Sequence, residues 1–131
     1  MLIEASPSAA PPAQARAVRA YGAVQSARSQ RAQEAEVFSI LAGRLHGALK
    51  SGDPIAKVRA AADARRVFTA IEALVIHPSC PLPMDLRMSI GAVSRRALRE
   101  VEGREPDLGF LAGIAEDFAL GLADRPQGAA P

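Results

Sequence analysis

The chain has 131 residues, with 16 Lys and Arg against 14 Asp and Glu and a formal net charge of +2. That length predicts one domain with room for a hydrophobic core, and so small a net charge does not by itself indicate a nucleic-acid partner. The one cysteine, Cys80, excludes an internal disulfide, and no cluster of Cys and His indicates a zinc site. We expect a protein of the reducing cytoplasm with no cofactor and no metal.

The two ends of the chain differ from its middle. Residues 1–13 are rich in Ser, Ala and Pro and predict a mobile leader, residues 14–123 predict a single domain, and residues 124–131 predict a flexible tail. Residues 1–31 carry four arginines and one glutamate, so a basic segment precedes a nearly neutral body. No signal peptide is recognisable, and no window approaches the roughly 18 apolar residues of a membrane span. We therefore expect neither export nor membrane association.

Two helices are predicted in the first part of the chain. An Ala-rich run over residues 14–27 places Val18, Tyr21 and Val24 at helical spacing. Ser29 is a suitable N-cap for a second helix, which ends at Gly52. The apolar stripe of this second helix consists of Ala35, Phe38, Leu41, Leu45 and Leu49.

The third helix is predicted to begin at Asp53 and Pro54, an N-cap followed by a residue suited to the first helical position. It runs to about Ile76 and carries charged residues opposite a wide apolar stripe. That stripe consists of Ile55, Val58, Ala62, Val67, Phe68, Ile71, Leu74 and Val75.

A proline-rich corner follows over residues 77–83, because three prolines so close together cannot lie inside a helix. The fourth helix spans about residues 84–102 with Gly103 at its end, and Pro106 and Asp107 open a fifth segment. Nothing alternates with period two, so strands are not expected. The prediction is an all-α protein, a small antiparallel bundle of about five helices with the proline-rich corner between helices 3 and 4.

No group of side chains indicates catalysis. His77 ends a helix, where a cation would favour the negative end of the helix dipole, and His46 is expected to be a surface residue. Cys80 has no base beside it in sequence, and Glu34 and Glu36 lie on different helix faces. Neither a glycine-rich phosphate loop nor a metal-binding motif is present. We expect no enzyme activity and no catalytic residue.

Arg95, Arg96 and Arg99 form the basic cluster that suits phosphate contacts best. Glu100 and Glu102 follow at once, however, and mixed signs are typical of a solvated helix face. Proteins that read single-stranded RNA also offer exposed aromatic platforms, whereas the aromatic residues here occupy stripes expected to be buried. Nucleic acid is therefore not the favoured partner.

Several short motifs occur in a fixed order along the chain. They are Ala20-Tyr21-Gly22, residues 31–36, residues 64–69, His77-Pro78, Pro81-Leu82-Pro83 before Leu86-Arg87, Ser89-Ile90-Gly91 and Ala119-Leu120-Gly121-Leu122. In this order the motifs resemble the FlaF family of flagellar biosynthesis proteins, over about residues 16–122. The chain departs from the family pattern at Ala64 and at residues 79–81, where the family often has Asn, and at Phe68, where it often has Trp.

This resemblance implies a cytoplasmic factor of flagellum biogenesis in alphaproteobacteria, a flagellin secretion chaperone that acts alongside a FlbT-like translational regulator. Flagellin ends are disordered before assembly and then form amphipathic helices, so a chaperone must cover their apolar face reversibly. We expect apolar residues left over from core packing to line a groove for such a helix. The candidates are Tyr21, Val37, Phe38, Ile40, Leu41, Leu82, Met84, Met88, Phe110 and Leu120.

The alternative is a regulatory adaptor that controls flagellin expression through a FlbT-like protein partner or through flagellin mRNA. In that case Arg95, Arg96 and Arg99 are the RNA contacts, and binding would weaken steeply as salt rises. Burial of an apolar helix would tolerate salt. Salt dependence therefore separates the two hypotheses.

Overall fold

In a computed structural model of the chain, the described residues are 12–124, and side chains are described for residues 13–23 and 30–122. These residues form four α-helices: α1 (Pro12–Ser51), α2 (Pro54–Ile76), α3 (Met84–Val101) and α4 (Leu108–Asp124). No strand occurs among them, so the all-α prediction is confirmed. Most of the predicted leader and tail lies outside the described residues.

The first two predicted helices are one continuous helix. α1 has 40 residues and passes through Ser29 without a break, and the described part of the chain has four helices. No proline lies between Pro12 and Pro54, and alanine, the best helix former, is the commonest residue over 12–33. A serine caps the start of a helix only where the helix before it has ended, and no residue ends the helix before Ser29.

The turn between α1 and α2 follows the predicted capping. Gly52 has a φ of 72°, a left-handed conformation that glycine adopts without steric cost, and its N–H donates to the Ala48 carbonyl at 3.1 Å. Asp53 is the N-cap of α2, since its carboxylate accepts from the Ile55 N–H at 3.2 Å. Pro54 then occupies the first helical position, so the chain reverses within two residues.

The helices pack as two pairs, α1 with α4 and α2 with α3. Leu49 of α1 packs beside the start of α4, because a Cβ atom added to Gly109 would lie 3.8 Å from the Leu49 Cδ2 atom. Phe38 stacks on Phe118 farther along, with 5.0 Å between ring centroids, so α4 runs antiparallel to α1. The short turn after Ser51 makes α2 antiparallel to α1 as well. The predicted antiparallel packing is therefore confirmed.

The core combines three phenylalanines with many small residues. Phe38, Phe68 and Phe118 lie within 6.5 Å of one another between ring centroids, and they join α1, α2 and α4. Alanines let the helix backbones approach closely around them. The other buried residues of this cluster are Leu41, Ala42, Leu45, Ala48, Ala60, Ala64, Ala97, Val101, Leu108, Leu111, Ala112 and Ala115.

The buried face of α2 differs from its predicted apolar stripe. Ile55, Val58 and Leu74 are exposed, whereas Ala60 and Ala64 are buried. The close approach of small residues sets which side of α2 faces the core, and the larger side chains beside them stay outside. The packing therefore leaves large apolar residues in contact with solvent.

The first half of α1 extends beyond the bundle. The 17 residues of α4 span about 25 Å, so from Leu49 they cover α1 only back to about residue 33. Residues 12–33 form the arm, in which the described side chains are exposed apart from the half-buried Ala15 and Arg31. Because α2 and α4 both run antiparallel to α1, they finish where the arm leaves the bundle. This end of the bundle is the arm end.

Candidate partner-binding surfaces

Two residues predicted to line a groove lie in the core. Phe38 is 4% exposed and stacks on Phe118, and Leu41 is 3% exposed. Both hold α1 against the other helices, so neither is available to a partner in this structure. Val37 and Ile40 lie next to them in sequence and are exposed. Spacing alone did not separate these pairs, because the position of α4 on α1 decides which side is covered.

The proline-rich corner between α2 and α3 is tied together by hydrogen bonds. The Arg87 guanidinium donates to the Val75 carbonyl at 2.8 Å and to the His77 carbonyl at 3.0 Å. The His77 Nδ1 atom accepts from the Ser79 N–H at 3.0 Å, and the Cys80 N–H donates to the His77 carbonyl at 3.0 Å. The corner is therefore a fixed support between the two helices.

His77 was expected to place a cation at the end of α2, and its Nδ1 atom accepts the Ser79 N–H there. Arg87 places a guanidinium beside the last carbonyls of α2. Sequence reasoning missed this residue, because its role depends on how the corner brings α3 back towards α2.

The corner carries a cluster of exposed apolar side chains. Met84 and Met88 are four residues apart on α3, which places them on one side of the helix, and they are 61% and 65% exposed. Leu82 in the corner and Ile76 at the end of α2 are exposed as well. These four residues form the corner patch. Large apolar residues exposed together on a fixed support are typical of a surface that docks another protein.

More apolar residues are exposed at the same end of the bundle. Val37 precedes Phe38 in α1, Leu120 follows Phe118 by two residues in α4, and Leu74 lies near the end of α2. Because Phe38 stacks on Phe118 and α2 is antiparallel to α1, all three lie towards the arm end. The fold therefore places part of the predicted groove towards the arm end, namely Val37, Leu82, Met84, Met88 and Leu120.

The remaining candidates lie elsewhere. Tyr21 is exposed on the arm, and Ile40 is exposed on α1 nearer the middle of the bundle. Phe110 is half-buried at the opposite end, where the Arg96 guanidinium lies 5.3 Å from its ring centroid. The predicted residues therefore form no single continuous groove in the part of the chain that is described.

The basic cluster on α3 is partly engaged within the bundle. Arg95 Nη1 lies 3.7 Å from Glu72 Oε2, and Arg96 covers the ring of Phe110. Arg99 is exposed. The cluster therefore does not present three unengaged guanidinium groups to a phosphate backbone.

A second candidate surface lies at the end of the bundle opposite the arm. A shallow groove there has Leu49, Val58, Val101 and Leu108 along its floor. Leu49 and Val58 were assigned to core stripes by their spacing, yet both are exposed. The charges on the rim have both signs, so they select no partner by charge. The rim residues are Lys57, Arg65, Arg104, Glu105 and Asp107.

The described residues contain no cluster of three or more His, Cys, Asp or Glu side chains that could hold a metal ion. The exposed His46 has one acidic neighbour, with its Nε2 atom 3.1 Å from Glu116 Oε2, and this contact joins α1 to α4. Among the same residues, no helix is long and apolar enough to cross a membrane.

One family model matches most of this helical chain. It is described as flagellar protein FlaF, and it matches residues 17–122. The chain belongs to the FlaF family. The matched region of this FlaF protein includes most of the arm, the whole corner and nearly all of α4, which confirms the resemblance seen in the sequence motifs. No curated protein and no solved structure matches the chain.

Proposed function

We propose that this FlaF protein binds unassembled flagellin in the cytoplasm as a secretion chaperone and promotes flagellin synthesis and export. Membership of a family of flagellar proteins supports a role in the flagellar system. The observation that carries the proposal is the concentration of exposed large apolar side chains at the arm end of the bundle. A segment that is disordered before assembly and helical afterwards needs such a surface, because its apolar face must be covered reversibly.

The corner patch suits reversible binding for two reasons. Met84 and Met88 have flexible, polarisable side chains that adapt to the shape of a partner, while the hydrogen bonds of Arg87 keep the backbone beneath them fixed. Complete burial of one such side chain is worth about 1.5–3 kcal/mol, and the cost of ordering the partner offsets part of that gain. Four residues therefore support a complex that forms and still dissociates.

The test is isothermal calorimetry of the purified protein with flagellin monomer from the same organism, at low and at high salt. We expect a one-to-one complex that persists at high salt and has a negative heat-capacity change, because most of its affinity comes from buried apolar surface. Met84→Asp combined with Met88→Asp should weaken binding about tenfold or more, since an unpaired carboxylate resists burial. The helical circular dichroism signal should persist, because both side chains are exposed.

Ile55→Asp is the matched control. Ile55 is 62% exposed and lies at the start of α2, at the opposite end of the bundle, so the variant should bind flagellin like the wild type. Equal losses in the corner variant and the control would remove the corner patch from the proposal. If the folded wild-type protein gave no heat with flagellin and instead bound flagellin mRNA with a steep salt dependence, the regulatory adaptor would be the better function.

A further inference from the structure

One line of residues along α1 faces the core in the second half of the helix. Phe38, Leu41, Leu45 and Ala48 lie on this line and are buried against other helices. Steps of three or four residues continue the same line into the arm, because an α-helix has 3.6 residues per turn. This line is the seam of α1, and in the arm it passes through Ala13, Arg16, Ala20, Ala23 and Arg31.

The arm section of the seam has no helix packed on it among the described residues. Ala13, Arg16, Ala20 and Ala23 are exposed, and α4 ends before it reaches them. Residues 12–33 span about 33 Å of helix. A helix face that continues a core face, with no described helix packed on it, is the position in which a further helix would extend the bundle.

The sequence of the arm is rich in positive charge. Residues 12–33 contain four arginines and no Asp or Glu. The first turn of α1 also lacks an acidic residue, although a negative charge there would be stabilised by the helix dipole. A partner with carboxylates would therefore complement both the arginine side chains and the positive end of the α1 helix dipole.

The bundle shows how such charges are matched between helices. Arg44 of α1 lies 3.2 Å from Asp63 of α2, and Arg65 of α2 lies 3.3 Å from Glu102, just after α3. Arg16, in contrast, forms no ion pair within the described residues and lies on the seam itself. The arm thus presents arginine side chains with which carboxylates of a partner helix could form ion pairs.

We propose that the arm is the docking surface for an amphipathic helix with large apolar residues along one stripe and carboxylates beside it. The alanines of the seam leave room for large side chains from the partner, and the arginines select carboxylates. This inference rests on the proposed function, because a helical end of unassembled flagellin is the helix that we expect there. The arm leaves the bundle near the corner patch, so one partner contacts both surfaces.

Other occupants complement the arm less well. A second copy would bring another arm of alanines and arginines, which repel the first. Residues 125–131 contain neither a carboxylate nor a large apolar side chain. Residues 1–11 have one carboxylate and would cover about 16 Å as a helix, half the length of the arm. RNA would meet the arginines but leave the alanine seam bare.

The first test reverses the charge of the arm. In calorimetry with flagellin monomer, Arg16→Glu combined with Arg19→Glu should weaken binding about tenfold, because attraction to carboxylates becomes repulsion. Arg59→Glu combined with Arg99→Glu changes the net charge by the same amount at exposed sites on α2 and α3, and it should bind like the wild type. Both proteins should keep the thermal unfolding midpoint of the wild type, which shows that the bundle is intact.

The second test blocks the seam without changing its charge. Ala20→Trp places a large ring where the partner helix would lie, and we expect it to weaken flagellin binding about tenfold as well. Ala32→Trp is the matched control, since Ala32 is exposed on the side of the arm turned away from the seam. The control should bind flagellin like the wild type.

The outcomes separate this inference from the proposed function. If the wild type binds flagellin and both arm variants bind it equally well, the arm is not the docking surface, while the proposed function stands. If the folded wild type does not bind flagellin, both are contradicted. A single-stranded RNA oligonucleotide that binds the wild type and loses binding in the Arg16→Glu and Arg19→Glu variant, with flagellin unaffected, would assign the arm to nucleic acid and overturn the inference.

Discussion

The two halves of α1 belong to one helix but meet different surroundings. Residues 34–51 place Phe38, Leu41 and Leu45 against the other helices, whereas the described side chains of the arm are exposed apart from two half-buried residues. Alanine makes the arm a good helix former, and its larger apolar side chains Val18 and Tyr21 are exposed. The comparison shows that local propensity accounts for the helix in the arm, while packing accounts for it in the bundle.

The difference also separates stability from recognition. A residue in the bundle half of α1 contributes mainly to the free energy of unfolding, because it loses contact with water on folding. A residue in the arm has little effect on that quantity and a larger effect on the affinity for a partner. Substitutions on one helix can therefore test the two roles independently.

The largest loss of stability is expected from a substitution in the bundle half of α1. Leu45 is fully buried, so Leu45→Ala should lower the free energy of unfolding by about 2–5 kcal/mol. Val18→Ala in the arm should change it by less than about 0.5 kcal/mol, because Val18 is exposed. Urea unfolding followed by circular dichroism measures both values. Similar losses in the two variants would mean that the arm is packed and that the comparison fails.

An intermediate effect is expected at the corner that supports the exposed methionines. Arg87→Ala removes two charge-assisted hydrogen bonds to the end of α2 and should cost about 1.5–3 kcal/mol of unfolding free energy. Arg99→Ala on the same helix removes an exposed guanidinium and should cost little. Thermal unfolding of the two variants side by side measures the difference. Equal midpoints would show that the corner does not depend on Arg87.

Much of the fold follows from the sequence where the local chemistry is unambiguous. Asp53 and Pro54 start α2, Gly52 takes the left-handed conformation before them, and the prolines of residues 77–83 force a corner. Each of these features depends on one or two residues and their own backbone. The all-α class was predictable for the same reason.

The sequence-based predictions were wrong where packing between helices decides which residues are buried or where a helix begins. The capping preference of Ser29 suggested a helix start, but nothing ended the helix before it. The exposed Val58 and the buried Ala60 reverse what size alone indicates, because close approach of helices favours small residues at the contact. For the candidate site, sequence identified Met84 and Met88 but did not distinguish them from the buried Phe38, since a stripe at helical spacing does not show which part of it is covered.

The smallest effects are expected from two glycine substitutions, which should change stability in opposite directions. Gly52→Ala should destabilise the protein by about 1–2 kcal/mol, because its φ of 72° is unfavourable for a residue with a Cβ atom. Gly22→Ala in the exposed helical arm should instead increase helix content, by about 0.5–1 kcal/mol of local stability, without raising the unfolding midpoint. Circular dichroism gives both readings. A raised midpoint in Gly22→Ala would indicate that the arm unfolds together with the bundle.

Hydrogen exchange along α1 is the most direct measurement of the central claim, that the seam of the arm is exposed in the free protein and covered in the complex. In the free protein we expect amides near residues 16–31 to exchange much faster than those of residues 38–48, since most described side chains of the arm are exposed. Addition of flagellin should slow exchange in the arm and leave the bundle half unchanged. An arm as protected as the bundle half in the free protein, or one whose exchange flagellin does not alter while it binds, would contradict the account.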